Sequence, residues 1–120
     1  MPLTKLIVDS GSTKAEWCFL NENQHISYFT PGISPYFLNE SQIVEVILSS
    51  LLPQMGSIVV DEIYFYGTGC KNPINKLFVK SALLSVFSNA YIEVDHDLMG
   101  AARGLCGNTS GNPSPNFFCY

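Results

Sequence analysis

Charge is scarce in this chain. Only 13% of its 120 residues are Asp, Glu, Lys or Arg, about half the usual share of a soluble domain. The shortage does not signal disorder, which needs low hydrophobicity together with high charge, because 47% of the residues are hydrophobic. Long apolar runs are missing as well. The richest stretch, residues 43–52, is interrupted by Glu45, Ser49 and Ser50, whereas a membrane-spanning helix needs about 20 mostly apolar residues. No basic run occurs, and six Lys and Arg against ten Asp and Glu leave a net charge of −4. The electrostatic footprint of a nucleic-acid binder is therefore lacking. At the N-terminus the only apolar core before Asp9 is Leu6-Ile7-Val8. That is too short for a secretory signal and points to a cytoplasmic protein. The four cysteines, Cys18, Cys70, Cys106 and Cys119, form no CxxC pair, so a zinc or iron–sulfur site has little support. A domain this small has much surface for its volume and should be rich in polar residues. The deficit implies either apolar surface that meets a partner, a second copy among the candidates, or a fragment of a larger protein.

What is present is a regular alternation of apolar segments and turn residues. Residues 3–9, 15–20 and 25–30 read as strands. They are joined by the turn Ser10-Gly11-Ser12-Thr13-Lys14 and a polar reversal at 21–24. Short reversals of this kind make an antiparallel meander. Pro31-Gly32-Ile33-Ser34-Pro35 is expected to stop the third strand, because proline cannot donate to a ladder. Asn39 with Gln42 three residues on is a capping box. Ile43, Ile47 and Leu51, with Val44 and Leu48, follow at helical spacing, and Pro53 is expected to end that helix. Residues 62–66 form a fourth strand, with Gly67-Thr68-Gly69 as its exit loop. Asn72-Pro73 opens a second helix, whose buried side is expected to carry Leu77, Val79, Leu83, Leu84 and Phe87. After a fifth strand at 91–94, Asp97 leads into a third helix rich in small residues, Gly100, Ala101, Ala102 and Gly104. The order β-β-β-α-β-α-β-α implies an α/β domain with a mixed sheet and helices packed on it. It is the order of the ribonuclease-H-like core. Residues 108–120, with Asn108, Asn112, Asn116, Pro113 and Pro115, have no helical or strand period. They are expected to form an irregular tail after a domain spanning 1–107.

Four segments could carry chemistry. In Asp9-Ser10-Gly11-Ser12-Thr13-Lys14 an acid ends a buried strand and a hydroxyl-rich turn follows. Its backbone N–H groups can point at phosphate oxygens. Ser12 and Thr13 can donate, Lys14 adds positive charge, and Asp9 could hold magnesium through water. The Walker A spacing is absent, and an ordinary hairpin turn opened by Asp is the plain alternative. In Asp95-His96-Asp97 an acid lies where open sheets bind ligands. It could act as a general base or simply cap the next helix, and His96 reads as a surface residue. Gly67-Thr68-Gly69-Cys70 allows a close backbone approach to a ligand, or is a plain loop. Thr30-Pro31-Gly32-Ile33-Ser34-Pro35 is a rigid connection unless the other three converge with it.

Taken in order, these segments carry a family resemblance. Leu6-Ile7-Val8-Asp9-Ser10-Gly11-Ser12-Thr13-Lys14 resembles the first phosphate motif of the sugar kinase, actin and heat-shock chaperone superfamily. Three further segments, the one from Thr30 through Phe37, Phe65-Tyr66-Gly67-Thr68-Gly69-Cys70, and the one from Val94 through Arg103, are similar to the BadF/BadG/BcrA/BcrD-type ATPases. Within that family they look most like the branch similar to N-acetylglucosamine kinase. The resemblance implies an actin-like ATPase domain and a two-domain kinase that uses ATP and magnesium to phosphorylate a sugar or amino sugar. By position it implies that Asp9, Gly11, Ser12, Thr13 and Lys14 hold the phosphates, with Asp9 toward the metal. It implies that Asp97 is the base on the sugar hydroxyl and also touches the sugar. Gly32, Ser34, Gly67, Thr68 and Gly69 would border the sugar. Family members continue beyond Gly107 into a second phosphate loop and an adenosine-binding domain, which this sequence does not contain. Little or no kinase activity is therefore expected of these 120 residues alone. Two other functions stay open at this point: a non-catalytic binding or assembly module, and the other branch of the family, activator ATPases of radical dehydratases that hold an iron–sulfur cluster between subunits.

Overall fold

Leu6, Ile7 and Val8 are all buried, without the alternation of a half-exposed strand. A strand covered on both faces reads this way, and β1 (Lys5–Ser10) accordingly lies in the middle of a five-stranded sheet ordered β3-β2-β1-β4-β5. The computed structural model describes residues 3–22, 24–56 and 58–96. β2 (Lys14–Leu20) and β3 (His25–Pro31) leave β1 as an antiparallel meander. β4 (Glu62–Gly67) and β5 (Tyr91–Asp95) pair in parallel on its other side. The mixed sheet anticipated from the element order is thus present.

One face of the sheet contributes Leu6, Val8, Trp17, Phe19, Ile63, Phe65 and Ile92 to the hydrophobic core. Trp17 is fully buried, so its indole N–H needs a partner. It donates to Thr30 Oγ1 at 2.9 Å, and its ring meets Phe65 edge-on at a centroid distance of 6.3 Å. The Thr30 hydroxyl in turn donates to the Pro31 carbonyl at 2.9 Å. The strand pairing Ala15–Thr30 is thereby locked at the end of the sheet from which the loops emerge.

Helices cover this face. In α1 (Glu40–Val46) the expected capping box is formed: Asn39 Oδ1 accepts from the Gln42 N–H at 2.9 Å and Gln42 Oε1 accepts from the Asn39 N–H at 2.9 Å. The helix does not stop at Pro53. It continues through a π-helical turn (Ile47–Leu51), in which the Leu52 N–H donates to the Ile47 carbonyl, and into α2 (Leu52–Met55). A widened turn of this kind takes up the room and the lost hydrogen bond that a proline would otherwise cost. Gln54 then reaches from α2 to the Phe29 carbonyl of β3 at 2.8 Å. β3 stops at the proline segment as expected, with Pro31 as its last residue, one beyond the expected end; the fold tolerates a proline there because β3 is an edge strand.

α3 (Pro73–Val86) starts where Asn72 accepts from the Ile74 N–H at 2.7 Å and Pro73 takes the first helical position. Its buried stripe is Val79, Ala82 and Leu83. Leu77 and Leu84, expected inside, are 65% and 39% exposed. The two are seven residues apart and so share a stripe of the helix, but that stripe faces away from the one set by Val79 and Leu83. Among the described residues no helix is long and apolar enough to cross a membrane. The third helix expected from Asp97 and the tail at 108–120 lie outside the described residues.

The two adjacent leucines of α3 separate core from surface. Leu83→Ala is expected to lower unfolding free energy by about 2–5 kcal/mol, and Leu84→Ala to change it by no more than about 0.5 kcal/mol, both read from urea denaturation.

Candidate functional site

Parallel pairing aligns the carboxyl ends of the central strands. Asp9 lies beside Tyr66 and Ser10 beside Gly67 in the β1–β4 register, and Tyr66 lies beside Asp95 in the β4–β5 register. Because β2 pairs with β1 through Glu16 and Asp9, one row across the sheet reads Glu16, Asp9, Tyr66, Asp95. The row lies on the face opposite the helix-covered core, since it is out of phase with Val8, Trp17, Phe65 and Val94. At its open end a cleft of ≈ 180 Å³ is lined by Asp9, Ser10, Gly11, Tyr66, Gly67, Thr68 and His96. Crevices beyond the carboxyl ends of parallel strands are where open α/β sheets bind ligands.

Three loops that are far apart in sequence are held as one unit around this cleft. The Gly11 N–H donates to the Lys14 carbonyl at 2.9 Å and closes the first turn. The Thr68 N–H donates to the Ser10 carbonyl at 3.0 Å, tying the exit of β4 to that of β1. The buried Ser10 hydroxyl accepts from the Ile33 N–H at 2.8 Å and donates to the Ile33 carbonyl at 2.9 Å. Gly32 then lies so close to the first turn that a Cβ at this position would stand 2.3 Å from the Gly11 carbonyl oxygen and 2.6 Å from the Ser12 carbonyl carbon. Only glycine permits that approach. In the loop after β4 Gly69 has φ of +85°, and a Cβ there would press on the rings of Tyr36 and Pro35. Its carbonyl accepts from Asn75 Nδ2 at 3.0 Å, anchoring the loop to α3.

The electrostatics are those of an acidic rim with one neutral phenol. Desolvation lifts the Asp9 carboxyl above its ordinary range, although the residue as a whole remains exposed. Tyr66 is buried, and burial, followed by Glu93, Tyr64 and Asp95, raises its phenol, so it keeps its proton as a donor. Asp95 receives Lys76 Nζ at 3.8 Å and His96 Nδ1 at 3.1 Å, and its Oδ1 accepts the His96 N–H at 2.7 Å. Cys70 is buried and its thiol is pushed up to about 11, chiefly by that burial. Among the described residues no group of three or more His, Cys, Asp or Glu is arranged to hold a metal ion.

The residues singled out from sequence are distributed as follows. Asp9, Gly11, Gly67 and Thr68 line the cleft together. Ser12 and Thr13 are exposed on the turn. Lys14 is exposed, with Nζ 5.6 Å from the Phe29 ring centroid. Gly32 packs on the turn, and Gly69 lies behind it against Tyr36. Ser34 is buried, its hydroxyl accepting the Tyr36 N–H at 3.3 Å and its carbonyl the N–H groups of Phe37 and Leu38. Asp97 lies outside the described residues. Sequence reasoning missed Ser10, Tyr66 and His96 as members of the site. Two-residue alternation in β4, which sets Tyr64 and Tyr66 out of phase with the core residues Ile63 and Phe65, could have found Tyr66; nothing in the sequence announces the reach of Ser10 to Ile33.

No family model matches the chain, and no curated protein does. Among solved structures, the "Putative N-acetylglucosamine Kinase" of Porphyromonas gingivalis matches 86% of this chain at 38% sequence identity with a TM-score of 0.73. The matched part is that protein's N-terminal region. The chain has the actin-like ATPase fold and is related to that protein. It spans 38% of the length of that relative. YeaZ from Pseudomonas aeruginosa aligns with 88% of the chain and 49% of its own length, at 20% identity and a TM-score of 0.48.

Two predictions follow from this assembly of loops. Ser10→Ala strips the Ile33 N–H and carbonyl of their partner and should cost about 1–3 kcal/mol. Gly32→Ala should cost at least as much, because both colliding groups are backbone, whereas Thr13→Ala should stay within about 0.5 kcal/mol. Thermal melts read all three. The second concerns Asp9. A carboxyl whose pKa is raised on folding binds its proton more tightly in the folded state, so its contribution falls as pH rises through the carboxylate range and stays low at neutrality. Asp9→Asn should therefore raise Tm at pH about 7 and leave it unchanged at pH about 3, below both the folded value and the ordinary 3.8. A variant less stable than the parent at neutral pH would contradict the reading.

Proposed function

We propose that this chain supplies the wall of an ATP-dependent sugar kinase that positions phosphates and the acceptor sugar, with N-acetylglucosamine or a related amino sugar as acceptor. The observation that carries the reading is the fusion of three loops at one cleft: Asp9 and Gly11 beside Gly67 and Thr68, with Gly32 packed on the turn. The similarity to the Porphyromonas gingivalis protein named for that activity supports it.

The residues fit magnesium and triphosphate in kind. Magnesium keeps most of its water and uses one or two carboxylates with phosphate oxygens rather than a protein cage. A single exposed carboxylate, Asp9, beside a glycine turn matches that demand. When bound, magnesium ATP supplies the phosphoryl group to be transferred. Catalysis of such a transfer rests on positioning and charge neutralisation, and these residues would divide it. Ser12 and Thr13 present backbone and hydroxyl donors to phosphate oxygens, Gly11, whose N–H closes the turn on the Lys14 carbonyl, lets the phosphate approach closely, and Lys14 adds positive charge. Asp97 accepts the proton of the sugar hydroxyl, for which it must come within hydrogen-bond reach. Gly32, Gly67, Thr68 and Gly69 border the sugar. Ser34, with its hydroxyl turned to the Tyr36 N–H, shapes that border more than it contacts the ligand. Tyr66 and His96 flank Asp9 from the β4 and β5 exits.

The test uses the 120-residue chain itself. Amide shifts are followed by NMR while N-acetylglucosamine, and separately magnesium with a non-hydrolysable ATP analogue, is added up to about 10 mM, a range that captures weak binding. The sugar should move Gly32, Gly67 and Thr68, and the nucleotide Gly11, Ser12 and Thr13. Asp9→Asn should remove the magnesium-dependent part of the second effect. Shifts confined to other surfaces, or no shift with either ligand, would overturn the reading.

A further inference from the structure

The ladder that aligns the cleft stops at its mouth. β4 and β5 pair as far as Tyr66 and Asp95. Thr68 on one side and His96 on the other line the cleft beyond that last pair. A third element reaches both. The first turn of α3 sends two consecutive side chains to the two exits. Asn75 Nδ2 donates to the Gly69 carbonyl at 3.0 Å, and Lys76 Nζ lies 3.8 Å from Asp95 Oδ1. The turn that carries them is itself fixed. Asn72 accepts the Ile74 N–H at 2.7 Å, Pro73 takes the first helical position, and the Lys76 N–H donates to the Asn72 carbonyl at 3.0 Å. Asn75 and Lys76 are half-buried and do not line the cleft themselves.

Each contact extends one step further, into the cleft. Gly69 has a positive φ, in a region that glycine enters and leaves easily, so its peptide needs outside support. Asn75 holds its carbonyl, and the rings of Tyr36 and Pro35 lie close to its α-carbon. The N–H of the preceding Thr68 is held by the Ser10 carbonyl at 3.0 Å. The peptide between Thr68 and Gly69 is thus fixed from both ends. On the other side, Asp95 Oδ1 is a shared point. It faces Lys76 Nζ, accepts the His96 N–H at 2.7 Å and lies 3.1 Å from His96 Nδ1. Whatever holds that carboxylate also aims the imidazole that lines the cleft.

We infer that Asn75 and Lys76 are positioning residues for the acceptor sugar, an inference that rests on the sugar-kinase reading. The first turn of α3 holds the 67–69 loop and the β5 exit at a set separation, and so fixes the width of the cleft between Thr68 and His96. A cleft held at its working width in advance binds more tightly than one that must be ordered by its ligand. The two contacts contribute unequally. A half-buried hydrogen bond to a carbonyl stabilises more than a partly exposed ion pair, so Asn75 has the larger effect. Loss of its amide should weaken sugar binding about two- to tenfold. Loss of the Lys76 charge should weaken it about two- to fivefold.

Three variants of the 120-residue chain test this by NMR, with circular dichroism to show that each is folded. Asn75→Leu keeps the size of the side chain and removes the donor. Lys76→Met keeps the stem and removes the charge, and Lys76→Arg restores it. Without ligand, Asn75→Leu should move the Thr68 and Gly69 amides more than that of His96, and Lys76→Met should do the reverse. In about 1 M salt, which screens exposed charges beyond about 3 Å, the parent's His96 amide should move toward its position in Lys76→Met, while that of Gly69 stays. Titrated with N-acetylglucosamine, Asn75→Leu and Lys76→Met should bind more weakly than the parent by the factors above, and Lys76→Arg should match the parent. A parent that binds no sugar removes the kinase reading and this inference with it. A parent that binds sugar while Asn75→Leu and Lys76→Met bind it equally well overturns the inference alone. So does a Lys76→Arg no better than Lys76→Met, or ligand-free shifts that do not separate the two loops.

Discussion

Everything about the cleft depends on the parallel pairing of β1 with β4. Two parallel strands end at the same edge of a sheet, so the turn after Ser10 and the loop after Gly67 emerge side by side although 57 positions separate those two residues. The antiparallel meander brings the third loop to the same edge, because β3 runs back along β2 until Pro31 lies opposite Lys14. The site is therefore a product of strand direction. Side chains refine it, and the Ser10 hydroxyl and the bare α-carbon of Gly32 are the refinements that lock the loops together.

Much of this was legible before any coordinates. Strand and helix order followed from hydrophobic period, the Asn39 and Asn72 caps from local chemistry, and the nearness of Asp9 to Gly67 from the usual placement of sites in parallel sheets. What escaped the sequence did so for definite reasons. Pro53 sits in a helix because a π turn upstream makes room for it, and pattern reading treats proline as a stop. Leu77 and Leu84 satisfied the helical period and still face outward, because period identifies stripes but does not say which stripe meets the sheet. The bond from Ser10 to Ile33 spans 23 positions; it depends on how the two loops are placed in space, which no local pattern encodes.

The electrostatics of the row Glu16, Asp9, Tyr66 and Asp95 set a condition on what the cleft can accept. A polyanion meeting three carboxylates without a counterion is repelled. Lys76 offsets Asp95, and the neutral phenol of Tyr66 separates it from Asp9 along the row. Asp9 is thus the member of the row whose charge has most to gain from a cation, and its raised pKa records the same thing from the proton's side. An acidic rim of this form suits a ligand that brings its own positive ion.

The double bond of Ser10 to Ile33 also bears on how a ligand is received. Loops that must be ordered on binding lose conformational freedom at that moment, and affinity falls accordingly. Here the Gly32 segment is already fastened to the turn after β1 through one hydroxyl and a backbone-to-backbone contact. The turn after β1 and the neighbouring loop behave as a single plate, and a ligand meeting that plate finds its geometry set in advance. Any closure around a bound molecule must then come from movement of the plate as a whole against whatever faces it, because it cannot fold inward at its own middle.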